Sequence, residues 1–175
     1  MHSGDFALKY SLPDAESLLA VDAVSLIVKA RVHAVAFGWR GGDAMPWTTL
    51  SVSVEQVYKG SAPEGSELVA MEEGGQVPLA TVLADPSMNL SAAAFSPEQR
   101  TSGLYVDRLF DSRSAQVGDV VILALQPNPN EQWSDRFAVV GGPLGRFTRQ
   151  PSGDYLRAGN VETLGWRPSI SEADL

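Results

Sequence analysis

From Val24 to Phe37 the chain alternates with period two. Val24, Leu26, Val28, Ala30, Val32, Ala34 and Ala36 fall on one face, and Ser25, Lys29, Arg31 and His33 on the other. Only an extended backbone sends successive side chains to opposite sides, so the stretch predicts one long, half-buried strand. A second alternation runs from Trp47 to Tyr58, with Leu50, Val52 and Val54 inward and Thr49, Ser51, Ser53 and Glu55 outward. The intervening Gly38-Trp39-Arg40-Gly41-Gly42-Asp43 reads as a turn, which makes the two strands a hairpin. After Glu55 the apolar phase moves from even to odd positions at Val57, as a bulge or bend in a curved sheet would require.

The rest of the chain continues in short strands. Ser11-Leu12-Pro13-Asp14-Ala15-Glu16 predicts a helix start, with Leu18, Leu19, Val21 and Val24 as its buried stripe and an end by about Asp22. Glu67 to Met71 is a third strand, closed by Gly74-Gly75. Val120 to Leu125 is apolar on both faces and reads as a central strand. Phe137 to Val140, Arg146 to Thr148 and Asp154 to Arg157 are shorter candidates, and few apolar anchors follow Trp166.

Residues 76–116 are an irregular insertion. Within it Ser96-Pro97-Glu98-Gln99 has capping-box spacing with Pro at the first helical position, which predicts a short helix. Leu104 to Phe110 fits a strand or a helical turn. The pattern as a whole predicts a mainly β, small, closed or partly open barrel of five to six antiparallel strands. It forms a single domain over 1–175, with the barrel at about 15–150 and a C-terminal extension at about 151–175.

Charge and composition narrow the function classes. Lys and Arg number 13 against 21 Asp and Glu, a net charge of −8. Nucleic acid is disfavoured, because affinity for phosphates rests on Lys and Arg, and membrane-surface binding is disfavoured for the same reason. The absence of Cys removes disulfides, thiolate metal sites and a Cys nucleophile. No run approaches the roughly 18 apolar residues of a transmembrane helix. Met1-His2-Ser3-Gly4-Asp5 leading to Lys9 lacks the form of a secretory signal. The chain is therefore expected to be the mature part of an exported or envelope protein, with the cytosol as the alternative.

Three segments carry a resemblance: Val54-Glu55-Gln56-Val57-Tyr58-Lys59-Gly60, Val117-Gly118-Asp119-Val120-Val121-Ile122-Leu123, and Phe137 through Phe147, which includes Gly141-Gly142-Pro143-Leu144-Gly145-Arg146. Together they resemble a group of uncharacterised bacterial proteins, often exported, whose domain is an OB-type barrel of the netrin-like class, the fold also found in tissue inhibitors of metalloproteases. The resemblance spans roughly residues 15 to 150 and rests on turns and strand edges. It implies a fold and no catalytic group. Those inhibitors act through an amino-terminal Cys, which this chain lacks, so their mechanism is not carried over. The stretch from Leu79 to Ala115 also departs from the shorter connection of the group.

Several residues stand out as candidate sites. Gly141-Gly142-Pro143-Leu144-Gly145-Arg146 reads as a structural hairpin or bulge, since Pro143 removes an amide and no Lys-Ser/Thr pair follows, as a phosphate loop would need. His33 shares its strand face with Lys29 and Arg31, whose charge would lower its pKa and disfavour metal binding. Glu72-Glu73 and the set Asp107, Asp111 and Asp119 read as solubilising surface, without the spacing of a calcium loop. Trp39 and Trp47 are placed to cap the open ends of a barrel, and loop tryptophans can also stack on sugars or anchor a partner.

The candidate ligand-binding residues are Trp39, Trp133, Arg100, Tyr105 and Arg108. No catalytic residue, metal ligand or cofactor is assigned. The leading expectation is a non-enzymatic binding module for a protein or small-molecule ligand in the bacterial envelope or extracellular space. The alternative is a hydrolase with its site under the 76–116 insertion, using Arg100, Asp107, Arg108 and Asp111. A third reading, by analogy with other OB barrels, is single-stranded nucleic-acid binding, for which Lys29, Arg31 and His33 supply the one locally basic strip.

Overall fold

A computed structural model describes residues 12–40, 45–88 and 90–175. The predictions for Met1 to Ser11, including His2, and for the turn at Gly41-Gly42-Asp43 lie outside the described residues. The protein is mainly β. A short helix, α1 (Ala15–Ala20), opens it, capped by Asp14, whose carboxylate accepts the Ser17 amide at 2.9 Å. Strands β1 (Leu26–Arg40) and β2 (Met45–Lys59) form the expected hairpin, and β3 (Glu67–Glu73) pairs with β2. The insertion then supplies β4 (Gly75–Pro78), α2 (Leu79–Leu83), α3 (Pro97–Ser102) and β5 (Leu104–Asp107), with β4 and β5 making a separate two-stranded sheet. Helix α3 carries the predicted capping box between Ser96 and Gln99. The remaining strands are β6 (Val120–Pro127), β7 (Phe137–Val139), β8 (Arg146–Arg149), β9 (Tyr155–Arg157) and β10 (Ser169–Ile170). Among the described residues no helix is long and apolar enough to cross a membrane.

The main sheet closes on itself. Pairing runs β1-β2-β3-β7-β6, and β6 returns to β1 through Leu26↔Leu125 to Arg31↔Val120. Three consecutive strands followed by a fourth that comes back beside the first is a Greek-key order. One expectation is corrected here: β3 and β7 pair in parallel, through Ala70↔Phe137 and Met71↔Ala138. The connection between those strands, which includes the insertion and β6, is long enough to bring β7 in alongside β3 in the same direction. β8, β9 and β10 branch from β6, whose residues Val121 to Leu123 pair with β8 beyond the β7 contact. β6 is therefore the central strand that its two-sided apolar pattern predicts.

Bulges set which residues face in. Register shifts leave Glu55 and Tyr58 without direct partners on β1, where the change of phase in the sequence predicts a bend. A further shift leaves His33 as the extra residue on β1. It overturns part of the predicted inner face: Val28, Ala30 and Val32 are buried, while Ala34 and Ala36 are exposed and Val35 packs against the core instead.

Two apolar cores result. One fills the ring with Leu26, Val28, Leu50, Val52, Val54, Val121, Leu123, Leu125 and Val139. The other lies on the outer face of β1 and β6, where Ile27 and Ile122 meet Leu12, Leu18, Val140, Phe147, Tyr155 and Ile170. Contrary to the expectation of a weakly anchored tail, Ile170 is buried and Leu175 packs against this second core.

Candidate functional site

The basic strip does not survive folding as a free positive surface. Lys29 meets Glu172 at 3.0 Å, Arg31 meets Glu55 at 2.8 Å and His33 Nε2 meets Glu67 at 2.9 Å. Each basic side chain thus faces a carboxylate, which removes the local field that a phosphate backbone would seek. Ser53 joins His33 and Glu67 on adjacent strands, with its Oγ 3.4 Å from His33 Nδ1. A serine, a histidine and a carboxylate are therefore within reach of one another. The hydroxyl, however, donates to Glu67 at 2.6 Å, and His33 is 45 % exposed on an open sheet face. A nucleophile needs its proton directed at the base and a site that excludes water, and this surface triangle offers neither.

The Gly-rich segment is structural. Gly142–Gly145 forms a buried 3-10 turn between β7 and β8. A side chain at Gly145 would collide with the Val140 carbonyl, since its Cβ would lie 2.1 Å from that oxygen. The turn delivers Arg146 into the interior. Arg146 is fully buried and bonds Glu72 in a bidentate pair, Nε to Oε2 at 2.9 Å and Nη2 to Oε1 at 3.0 Å. Its Nη2 also donates to the Arg113 carbonyl at 2.6 Å. This corrects the reading of Glu72 as solubilising surface: it is 4 % exposed and neutralises a buried guanidinium. A short apolar strand with glutamates at its end reads as surface in sequence, because the partner lies 74 positions away.

A second buried arginine is held differently. Arg157 donates to the carbonyls of Leu144 and, at 2.8 Å, Leu12, while its guanidinium lies 4.4 Å from the Phe147 ring centroid. Burial pushes its pKa down to about 10, so it stays cationic at neutral pH. Arg113, Thr148, Gln150, Asn160, Asp111 and Glu162 line a cleft of about 260 Å³ beside it. At its rim Phe110 and Asp111 both take left-handed backbone, with φ of 55° and 48°, fixed by the Asn160 amide donating to Phe110 O at 2.7 Å. Of the four residues named for the hydrolase reading, Asp111 lines this cleft. Arg100 and Arg108 are exposed, and Asp107 sits on β5, where burial raises its carboxyl above the usual range.

The candidate aromatics separate into two pairs. Trp39 packs edge-on against Tyr105, centroids 5.9 Å apart, and its indole N–H donates to Asp85 at 2.7 Å. Asp85 in turn accepts from the Ser87 amide and hydroxyl, so this pair clamps the insertion to the end of β1. Trp133 lies elsewhere, edge-on against Trp47 with centroids 5.4 Å apart, where the β6–β7 connection meets the start of β2. The Trp47 Nε1–H is buried with no hydrogen-bond partner among the described residues. From the same β6–β7 connection as Trp133, Asn128 Nδ2 and Arg136 Nη1 approach the Met71 sulfur of β3 at 3.7 and 4.0 Å. Sequence reasoning singles out Trp133 but misses Trp47, at the start of β2, as its partner, since the two lie far apart in the chain and no local signal joins them.

Asp107, Asp111 and Asp119 do not gather. Asp119 instead accepts the Gln116 amide at 3.0 Å. Among the described residues no three His, Asp or Glu side chains converge as metal ligands. Comparison of the chain with protein-family models, curated proteins and solved structures finds no match in any of the three.

Proposed function

We propose that the chain is a non-enzymatic binding module built on an OB-type, netrin-like barrel, working in the bacterial envelope or extracellular space, and that its ligand lies across the Trp47–Trp133 end. The five-strand ring in Greek-key order supports the barrel reading, since OB barrels are five-stranded Greek keys. OB barrels take ligands on the face of their second and third strands and on the loops joining strands one to two and four to five. In this chain those elements correspond to β2, β3, the β1–β2 connection and the β6–β7 connection, where Trp47 and Trp133 meet.

The observation that carries the proposal is the unpartnered indole N–H of Trp47 beside a second half-buried indole. A buried donor without an acceptor costs about 1–3 kcal/mol, which a ligand oxygen would recover. Aromatic area beside the buried donors Trp47 Nε1 and Arg136 Nε fits a small molecule or peptide side chain that stacks and accepts hydrogen bonds.

The test uses the fluorescently labelled chain on glycan and peptide arrays, with Trp47→Ala, Trp133→Ala and Trp39→Ala as variants. Binding lost in the first two and kept in the third is the expected result. Binding indifferent to Trp47 and Trp133 would overturn the assignment.

A further inference from the structure

The C-terminal segment is held by a small set of specific contacts. Its strand β10 contributes two residues, Ser169↔Leu156 and Ile170↔Tyr155, to the edge of β9. The Arg157 amide extends that ladder by donating to the Pro168 carbonyl at 2.7 Å. Ile170 fills an apolar socket in the outer core at 3 % exposure. Two residues on, the Glu172 carboxylate accepts from three donors: Lys29 Nζ at 3.0 Å, Tyr155 OH at 2.8 Å and Tyr58 OH at 3.0 Å.

These donors come from β1, β2 and β9, so the sheet builds the carboxylate hook without the segment that uses it. The segment itself is loosely flanked. Clefts of about 300 Å³ and about 210 Å³ border it, each lined by Arg167, Ile170 and Asp174. A segment held at a few points, here the β9 ladder, Ile170, Glu172 and Leu175, opens at lower free energy than the core it covers.

We propose that the β9 edge, the Ile170 socket and the Lys29–Tyr58–Tyr155 hook form a docking site for an extended peptide with an aliphatic residue and, two positions later, a carboxylate, and that residues 169–172 fill this site in cis. The mode is strand addition: backbone pairing supplies affinity, and the socket and hook on alternate positions supply specificity. The cis segment Ser-Ile-Ser-Glu is the template from which the ligand chemistry is read. Opening of the strap and docking of a foreign peptide are then competing occupancies of one edge. The site is distinct from the Trp47–Trp133 end, so either reading can fail alone.

The experiment measures anisotropy of a labelled peptide Ser-Ile-Ser-Glu-Ala-Asp-Leu against the full chain and against its Ile170→Ala/Glu172→Ala variant, which vacates socket and hook. Saturable binding to the variant, at least about tenfold tighter than to the unaltered chain, is expected. Changing Glu to Gln in the peptide, or adding Lys29→Met to the variant, weakens it by about tenfold or more, because a hydrogen bond to a charged group is lost. No saturable binding by a variant that still unfolds cooperatively would overturn the proposal, as would binding indifferent to both changes. A dimer that forms in place of peptide binding would assign the edge to exchange between copies, and also overturn it. If the variant does not fold, hydrogen exchange on the unaltered chain decides. Exchange of the Arg157 amide well ahead of the Ile122 and Leu123 amides supports an opening strap, and exchange in step with them refutes it.

Discussion

The inside of the ring and its outer face are both dry, yet they are made of different materials. The interior is aliphatic, from Leu26 to Val139. The outer side gathers Phe147, Tyr155 and Ile170, with Arg157 stacked on Phe147 and the Glu172 hook at its margin. Between β3 and β8 lies the Arg146–Glu72 pair. A ring of strands needs only volume inside, which small aliphatic residues fill without direction. Joining a helix, a Gly-rich turn and a tail to the outside requires their free carbonyls to be answered. Two buried guanidiniums answer those of Leu12, Arg113, Leu144 and Arg167. Directional chemistry therefore accumulates where irregular backbone is buried.

The largest expected effect tests that distinction directly. Glu72→Gln leaves the Arg146 charge buried without a counter-ion and should cost about 3–5 kcal/mol in urea unfolding. Glu72→Leu with Arg146→Met should recover most of the loss, since a buried pair can be replaced by apolar residues of similar volume. If the double variant is as unstable as the single one, the pair is needed for its contact with Arg113 and not for charge balance. Next in size, Leu123→Ala in the ring should cost about 3 kcal/mol through the cavity it leaves. That cost should vary little with pH in a stability scan, because Leu123 packs in a cluster of aliphatic residues.

The smallest effect concerns the hook. Three donors hold the Glu172 carboxyl below the usual carboxylate range, with Lys29 the largest influence, so its contribution is full above pH 4.5 and fades as pH falls through the folded value. Burial and the Glu172 hydrogen bond push Tyr58 and Tyr155 upward, so theirs is full below pH 10 and is lost as pH rises toward the folded values. Glu172→Gln should reduce the acid limb at a cost of about 1 kcal/mol or less at neutral pH, since the carboxylate is 38 % exposed. Asp14, Asp85 and Asp174, also held low by hydrogen bonds, contribute the rest of that limb. An acid limb undiminished in this variant would place the titration elsewhere.

The ring was largely legible in the sequence, because alternation over β1 and β2 and the two-sided apolar run of β6 each record local backbone geometry. The α3 helix was legible for the same reason, its capping box lying within four residues. The bulge at His33 left no trace: the residues that change sides, Ala34 and Ala36, are small enough to suit either face. The outer core escaped because its members come from Leu12, Val140, Phe147 and Ile170, positions that no local period connects. The Arg146–Glu72 pair is invisible for a related reason. A glutamate near the end of a strand carries the same local signature whether it meets water or a guanidinium.

Closure of the ring through β1 and β6 has a consequence for how the chain is made. Leu26 finds its partner only at Leu125, so during synthesis the β1–β2–β3 meander must wait for most of the chain to emerge. Until then Val28, Val32 and Val52 have no closed interior to fill, and both edges of the meander are open to pairing with a neighbour. Non-local closure of this kind is slow. A ribosome-bound intermediate that ends before Val120 is thus the species most in need of a chaperone, and the yield of folded protein should depend more on the pace of translation through residues 76–120 than on the stability of the finished ring.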